Sequence, residues 1–363
     1  MRILITGAKG QLAQSLALVA VSAHANVYFP KDLDKLKNDV RSTDFAKDWT
    51  KPSGYSEDFS AAFANPMAQD ALIELLPELI VCLSHDDEVI LLSRQELNIC
   101  DNSEVERAFN VFSPDIVINC AAFTAVDAAE VDRLLAFELN VTGPKLIANA
   151  CRTQGIKMLH ISTDFVFDGL ASTAYKEACQ PKPLSQYGLS KLSGEQWVSD
   201  ILGKDVTIVR TAWLYSCWGN NFVKTMQRFF SVKQNLSVVA DQHGSPTWGE
   251  ALAVVLFLLC RKPDTSAKTS LYHYAAAGCC SWFEFACEIQ SELQPDIGNS
   301  QVEQCTIAPI SSANWQALHV NQLAKRPPRS ELCCDKIYAE LKLNQSSLLV
   351  ASWQQQLAAM LQF

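Results

Sequence analysis

Ile3-Leu4-Ile5-Thr6-Gly7-Ala8-Lys9-Gly10-Gln11-Leu12-Ala13 is the stretch whose reading decides the fold. Ile3 to Ile5 is a short aliphatic run that ends in a glycine turn. From Gly10 to Ala20 the spacing turns helical, with Leu12, Leu16 and Val19 on one face. Strand, glycine turn and helix in that order form a phosphate-binding unit. Gly7 allows the tight turn and Gly10 allows close approach of a pyrophosphate. Small Ala13 lets helix and strand pack, and the anion faces the helix N-terminus. A purely structural turn also produces such a pattern, so its position after a strand and before a helix carries the weight.

Outward from this unit, strand and helix alternate. Strands are predicted over Val89–Leu92, Asp115–Asn119, Lys157–Ser162 and Val206–Thr211. Helices are predicted over Asp101–Phe112 (capped by Asn102 or Ser103), Asp127–Thr153, Leu184–Ser199 and around Phe222–Phe230. This is the pattern of an α/β protein with a Rossmann-type, doubly wound parallel sheet. Residues from about 22 to 87 interrupt it. Their periodicity is weak, and they read as an insertion after the first helix, part loop and part helix, broken at Pro66 and Pro77. After Ser231 the pattern loosens. Short strands are expected at Ser237–Ala240 and Leu271–Ala275, with helices at Glu250–Leu259, Trp282–Leu293 and Trp353–Leu361. We therefore expect a dinucleotide-binding domain over 1–230 and a smaller α/β lobe, mainly substrate-binding, over 231–363. Some segments of the latter are free to return to the main sheet.

Composition narrows the function. The 363 residues are 48% hydrophobic and 19% charged, which excludes disorder over most of the length. Lys plus Arg total 30 against 39 Asp plus Glu, a net charge of −9. That disfavours nucleic acid or an anionic membrane as partner, although backbone N–H groups still bind a phosphate locally. The apolar run Ala251–Cys260 falls short of the ~20 residues that span a bilayer. The chain begins without a long apolar leader, so a cytoplasmic protein is the expectation. The 13 cysteines include no C-x-x-C pair and do not cluster with the 6 histidines, so reduced thiols are expected and no metal.

Three further segments carry chemistry. The displaced second strand ends near Leu92, followed by Ser93-Arg94 where an acidic residue often stands. A hydroxyl and a guanidinium suit a 2′-phosphate, which favours NADPH, with NADH also open; a solvated surface arginine is the bland alternative. Asn119-Cys120-Ala121-Ala122 ends the next strand in small residues, which suits a flat cofactor or tight helix packing equally. Ile161-Ser162-Thr163-Asp164 lies at the end of a strand, where ligands of such sheets sit, and Tyr187-Gly188-Leu189-Ser190-Lys191 places Tyr and Lys on one helix face. A neighbouring ammonium lowers a phenol's pKa, so Lys191 is expected to make Tyr187 a usable proton donor.

Together the glycine turn, Tyr-x-x-x-Lys and strand-end threonine resemble an extended short-chain dehydrogenase/reductase. Several segments resemble the dTDP-4-dehydrorhamnose reductase family: Asn119–Asp127, Ser162–Gly169, Arg210–Tyr215, Gly219–Phe222, Asp241–Thr247 and Arg326-Pro327. The resemblance implies NAD(P)H-dependent reduction of the 4-keto group of dTDP-4-dehydro-L-rhamnose. Tyr187 would be the general acid, Lys191 its partner and ribose anchor, and Thr163 a donor to the carbonyl. Gly7, Gly10, Gln11, Leu12, Ser93, Arg94, Ala121, Ala122 and Asn140 would serve the cofactor, Asn140 by ordering a proton-relay water. Thr124, Val126, Asp164, Phe165, Trp213 and Asn221 would face the sugar nucleotide. Phe165 stands where many members have tyrosine, which removes one sugar contact. Two other readings stay open: another sugar-nucleotide reductase or epimerase, and a non-catalytic regulator of the same fold. A homodimer is also left open.

Overall fold

The computed structural model describes residues 1–29, 65–262, 268–293, 305–319, 321 and 323–362. Strand β1 (Arg2–Thr6) enters the glycine turn and helix α1 (Gln11–Ser22) leaves it. The expected insertion opens with a strand, β2 (Asn26–Tyr28). Residues 30–64 of it lie outside the described residues. Asn65 then caps α2 (Pro66–Leu75) by accepting from the Met67 N–H. Pro66 starts this helix instead of breaking one, because a first-turn residue needs no N–H. The single turn α3 (Leu79–Cys82) follows Pro77.

Strand β3 (Glu88–Leu92), helix α4 (Asn102–Phe112) and strand β4 (Ile116–Asn119) match the alternation. The cap of α4 is Asp101, not Asn102 or Ser103; its carboxylate accepts from the Ser103 and Glu104 N–H groups. The single long helix expected over 127–153 is divided. Helix α5 (Val126–Val131) stops where the Asp132 carboxylate accepts from the Leu135 N–H and starts α6 (Arg133–Phe137). A π-helical turn (Glu138–Thr142) then carries Asn140 before α7 (Gly143–Gln154) resumes. An aspartate that bonds nearby backbone competes with the helix ladder, which is why the apolar periodicity runs through a break it does not reveal.

Strand β5 (Lys157–Thr163), helix α8 (Gln186–Leu202), strands β6 (Val206–Thr211) and β7 (Leu214–Tyr215), and helix α9 (Phe222–Phe230) follow. Then come β8 (Asn235–Val239), β9 (His243–Gly244), β10 (Thr247–Trp248), α10 (Gly249–Arg261), β11 (Ser270–His273), β12 (Cys280–Ser281) and α11 (Trp282–Leu293). The last described elements are β13 (Thr306–Ile310), α12 (Ser312–Leu318), α13 (Asp335–Leu341) and α14 (Trp353–Gln362).

Among the described residues seven parallel strands form the main sheet in the order β11-β6-β5-β4-β1-β3-β2. The order reverses at β1, so the β1–α1 turn opens into the crevice where ligands of such sheets bind. Strand β3 lies beside β1, as expected for a second strand displaced by the insertion. Side chains alternate between two buried layers. Ile3, Ile5, Ile118, Leu159 and Val209 face one, with α1, α2 and α10 packed over it. Leu4, Val117, Met158 and Ile208 face the other, with α4, α7 and α8. Residues beyond 230 contribute to this body, because β11 closes the sheet edge and α10 packs on α1. The rest of the C-terminal part builds the small pairs β8–β13, β9–β12 and β7–β10.

Candidate active site

The glycine turn is built around one close approach. Gly7 has φ +74°, and a Cβ there would stand 2.8 Å from both N and Cα of Ala121. A side chain at Gly7 is therefore excluded both by conformation and by the backbone beyond β4. The Gly10 N–H donates to the Gly7 carbonyl at 2.8 Å, and the Ala8 N–H to the Leu92 carbonyl at 3.1 Å. Among the described residues no side chain caps α1 at Gly10, which leaves its first-turn N–H groups to the crevice. Gln11 is half-buried at this entrance, and Leu12 belongs to the core.

At the end of β3, Ser93 is committed locally. Its N–H and hydroxyl both donate to the Glu96 carboxylate. Arg94 is exposed beside it. The strand end thus presents the Arg94 guanidinium and, two residues on, the Glu96 carboxylate held by Ser93, an acid that the search directly after the strand passes over.

Tyr187, Lys191 and Thr163 come together where β5 meets α8. Ser185 caps α8 by accepting from the Gly188 N–H at 3.1 Å. Gly188 lets the helix lean on the end of β5: a Cβ there would stand 2.2 Å from the Phe165 carbonyl oxygen. The Tyr187 ring meets Phe165 edge-on at 5.6 Å and packs with Phe123, Val126, Ala129 and Ala136. Lys191 is 3% exposed and donates from Nζ to the Ile161 carbonyl at 2.7 Å. Burial pushes its pKa down to about 8, while Glu195 and the Cys120 thiol push the other way. The effect expected of Lys191 on Tyr187 is not what the structure gives. Burial pushes the phenol up to about 12; the Thr163 hydroxyl pulls it down and Asp164 pushes it up further. In this buried setting the desolvation of the phenolate dominates. Asp164 is buried too and is pushed up to about 6 by burial, against the hydroxyls of Ser330 and Thr163. Its Oδ1 accepts from Thr163 at 3.0 Å.

Other expected residues are placed differently. Asn140 is fully buried and its amide is occupied. Its Oδ1 accepts from the Phe123 N–H at 2.8 Å, and its Nδ2 donates to the Phe123 carbonyl at 3.0 Å and to Ser190 Oγ at 2.9 Å. It fastens the loop after β4 to α8, and it makes no hydrogen bond to Tyr187 or Lys191. Asn221 caps α9, accepting from the Lys224 N–H and donating to the carbonyls of Ser216 and Trp218. Trp213 has φ +44°, stacks on Trp282 at 3.4 Å and lies against Gly244, so it joins the two parts of the chain. Thr124 is exposed and Ala122 half-buried on the loop between β4 and α5. Asp127 at the start of α5 pairs with Arg326 at 2.6 Å and accepts from the Ala324 N–H, which brings the 324–328 segment to the site.

The sequence reading passed over Glu195, Arg210 and His160. Glu195 and Arg210 form a buried two-point ion pair at 2.8 and 2.6 Å directly behind Lys191. The signals in the sequence are the i+4 spacing of Lys191 and Glu195 on α8 and the place of Arg210 at the head of a segment resembling the family.

A parallel doubly wound sheet with a glycine turn at β1 and Tyr187, Lys191 and Thr163 at the end of β5 defines a Rossmann-type protein of the extended short-chain dehydrogenase/reductase class. The family model for the RmlD substrate binding domain matches residues 74–363. The chain belongs to the dTDP-4-dehydrorhamnose reductase family. It is 37% identical over 253 residues to the dTDP-4-dehydrorhamnose reductase of Aggregatibacter actinomycetemcomitans, covering 69% of this chain and 83% of that protein. It is 36% identical over 255 residues to the enzyme of the same name from Sinorhizobium fredii, again 69% and 83%. The crystal structure of a dTDP-4-dehydrorhamnose reductase from Clostridium acetobutylicum superposes with a TM-score of 0.70 at 30% identity, over 100% of this chain and 99% of that one. That of the Bacillus anthracis enzyme in complex with NADP gives 0.69 at 30% identity, over 99% and 98%.

Proposed function

We propose that the protein reduces the 4-keto group of dTDP-4-dehydro-L-rhamnose to give dTDP-L-rhamnose, with NADPH as reductant and NADH as an alternative. The observation that carries this reading is the meeting of Tyr187, Thr163 and Lys191 at the strand end beside the Gly7–Ala121 crossing. The tight turn at Gly7 and the first turn of α1, for which no side-chain cap is found among the described residues, fit a pyrophosphate. A bound nicotinamide cofactor supplies the hydride to C4. Tyr187 holds its proton at neutral pH and gives it up only as the C4 oxygen becomes an alkoxide, a far stronger base than the ketone. Thr163 orients that oxygen. Lys191, still largely a cation at pH 7, anchors the ribose and offsets charge developing beside Tyr187. Asp164, Phe165, Val126, Thr124 and Trp213 wall the sugar side. Gln11, Ala121, Ala122 and the Leu12 backbone N–H would line the cofactor side, and the exposed Arg94 would meet a 2′-phosphate. Asn140 and Asn221 act by holding the surrounding loops.

In this reading residues 1–230 mainly bind cofactor, residues 231–363 mainly bind the sugar nucleotide, and the enzyme works in the cytoplasm, as a homodimer or alone. Among the described residues no helix is long and apolar enough to cross a membrane. Product analysis by NMR tests the reaction. Stoichiometric NADPH consumption with appearance of the 4-hydroxy sugar supports it; an altered sugar with unchanged cofactor would assign an epimerase instead.

A further inference from the structure

Buried polar side chains in the middle of a parallel sheet are rare, because each must find a partner away from water. This sheet carries three in a row. Thr6 on β1 lies in register with Asn119 on β4, and Asn119 with His160 on β5. All three are at most 1% exposed, on the face that packs against α8.

Their hydrogen bonds have a fixed direction. The Ala121 N–H donates to Thr6 Oγ1 at 3.3 Å, and that hydroxyl donates to Asn119 Oδ1 at 2.6 Å. With its oxygen accepting, the amide places Nδ2 toward the ring, 3.1 Å from His160 Nδ1. Nδ1 must then accept, so the proton of the neutral imidazole sits on Nε2. Protonating Nδ1 would set two donors face to face. Burial and the nearby Lys191 ammonium also hold the imidazole well below its ordinary pKa. Nε2 is buried, and no partner for it is found among the described residues. It stands 3.7 Å from the Cβ point of Gly194 on α8, where the Asn140 carbonyl oxygen stands at 2.2 Å. The row therefore starts at the Ala121 amide touching Gly7 and ends at the notch in α8 one turn beyond Lys191.

We infer that His160 is a positioning residue. Tied through Nδ1 to the Thr6–Asn119 row, it fixes the end of β5, so that the adjacent Ile161 carbonyl meets Lys191 Nζ and the amine stands beside Tyr187. The same row links that placement to the Gly7–Ala121 crossing at the dinucleotide turn. This inference rests on the reductase reading of Tyr187 and Lys191.

The test compares wild type with His160→Asn and His160→Leu, using NADPH and the 4-keto sugar nucleotide. Asparagine can place an acceptor where Nδ1 stands; leucine fills the volume and leaves Asn119 Nδ2 unpaired. We expect His160→Leu to lower kcat at least tenfold with the sugar KM within twofold, and His160→Asn to recover most of kcat. In 15N-histidine-labelled wild type at pH 7, the resonance lost in both variants should report the Nε2–H tautomer. Equal kcat in all three proteins, or equal losses in both variants with no split from KM, would overturn the inference. So would an Nδ1–H tautomer. If His160→Leu fails to fold, Asn119→Leu, which removes the donor to Nδ1, must show the same split or the inference fails. A wild type that binds NADPH but reduces no sugar would refute the reductase reading itself, and the tautomer would still judge the hydrogen-bond row.

Discussion

Replacing Glu195 by glutamine separates two duties of one buried carboxylate. Glu195 and Arg210 are 6% and 3% exposed at the side chain and meet through two short hydrogen bonds. Removing one charge leaves the other buried without an ionic partner, at a cost of about 3–5 kcal/mol. With unfolding entropy near ~2.1 cal/mol/K per residue, 363 residues give about 0.8 kcal/mol/K, so the melting temperature should fall by about 4–7 °C. The second effect is on Lys191. Burial depresses its pKa to about 8, and Glu195 is the first of the groups opposing that depression. Without the carboxylate the ammonium loses its proton at lower pH. Activity that needs a cationic Lys191 should therefore decline on the alkaline side at a lower pH than in wild type. Melting curves and kcat from pH 6 to 9 check both, with Arg210→Met as a variant that keeps the carboxylate and removes the cation. A lower melting temperature with an unmoved alkaline limb would refute the link to Lys191. An unmoved melting temperature would refute the weight given to the buried pair.

Gly7→Ala forces an alanine into the left-handed region, about 1–2 kcal/mol, and sets its Cβ 2.8 Å from the Ala121 backbone. Calorimetry should find NADPH affinity at least tenfold weaker, and unchanged affinity would contradict the crossing. Glu250 is buried between α1 and α10, accepting from Ser15 and from the Trp218 indole. Burial pushes its pKa up to about 7, against those hydrogen bonds. The folded state then holds its proton more tightly than the unfolded chain, so stability falls between about pH 4.5 and 7, by about 3 kcal/mol in all. Glu250→Gln should abolish that decline, gaining on wild type at pH 8 and not at pH 4.5; a pH-independent difference would count against it. Arg94→Ala should raise KM for NADPH far more than for NADH, and equal effects would remove Arg94 from the 2′-phosphate.

The fold was legible because its signals are local. Gly7 and Gly10 sit between an aliphatic strand and a 3.6-period helix, and β-branched runs recur at αβ spacing. The tyrosine, lysine and threonine were legible by type and place. What the sequence hid depends on contacts across the chain. Asn140 and Asn221 stand out by type, and the fold shows that the amides of both bond nearby backbone, a use that spacing does not reveal. The break at Asp132 hides inside an unbroken apolar pattern because a side-chain acceptor, not a glycine or proline, makes it. The rise in the Tyr187 pKa depends on how deeply β5 and α8 enclose the phenol, which spacing does not carry. The row from Thr6 to His160 joins three strands far apart in sequence and exists only once their register is set.

The measurement that bears most directly on the central claim follows absorbance at 340 nm with NADPH and enzymatically generated dTDP-4-dehydro-L-rhamnose, for wild type and Tyr187→Phe. Rapid loss of absorbance with wild type and at least a hundredfold slower loss with the variant is the predicted result. Contradiction would come from folded, cofactor-binding wild type that consumes neither NADPH nor NADH, or from a Tyr187→Phe protein as fast as wild type.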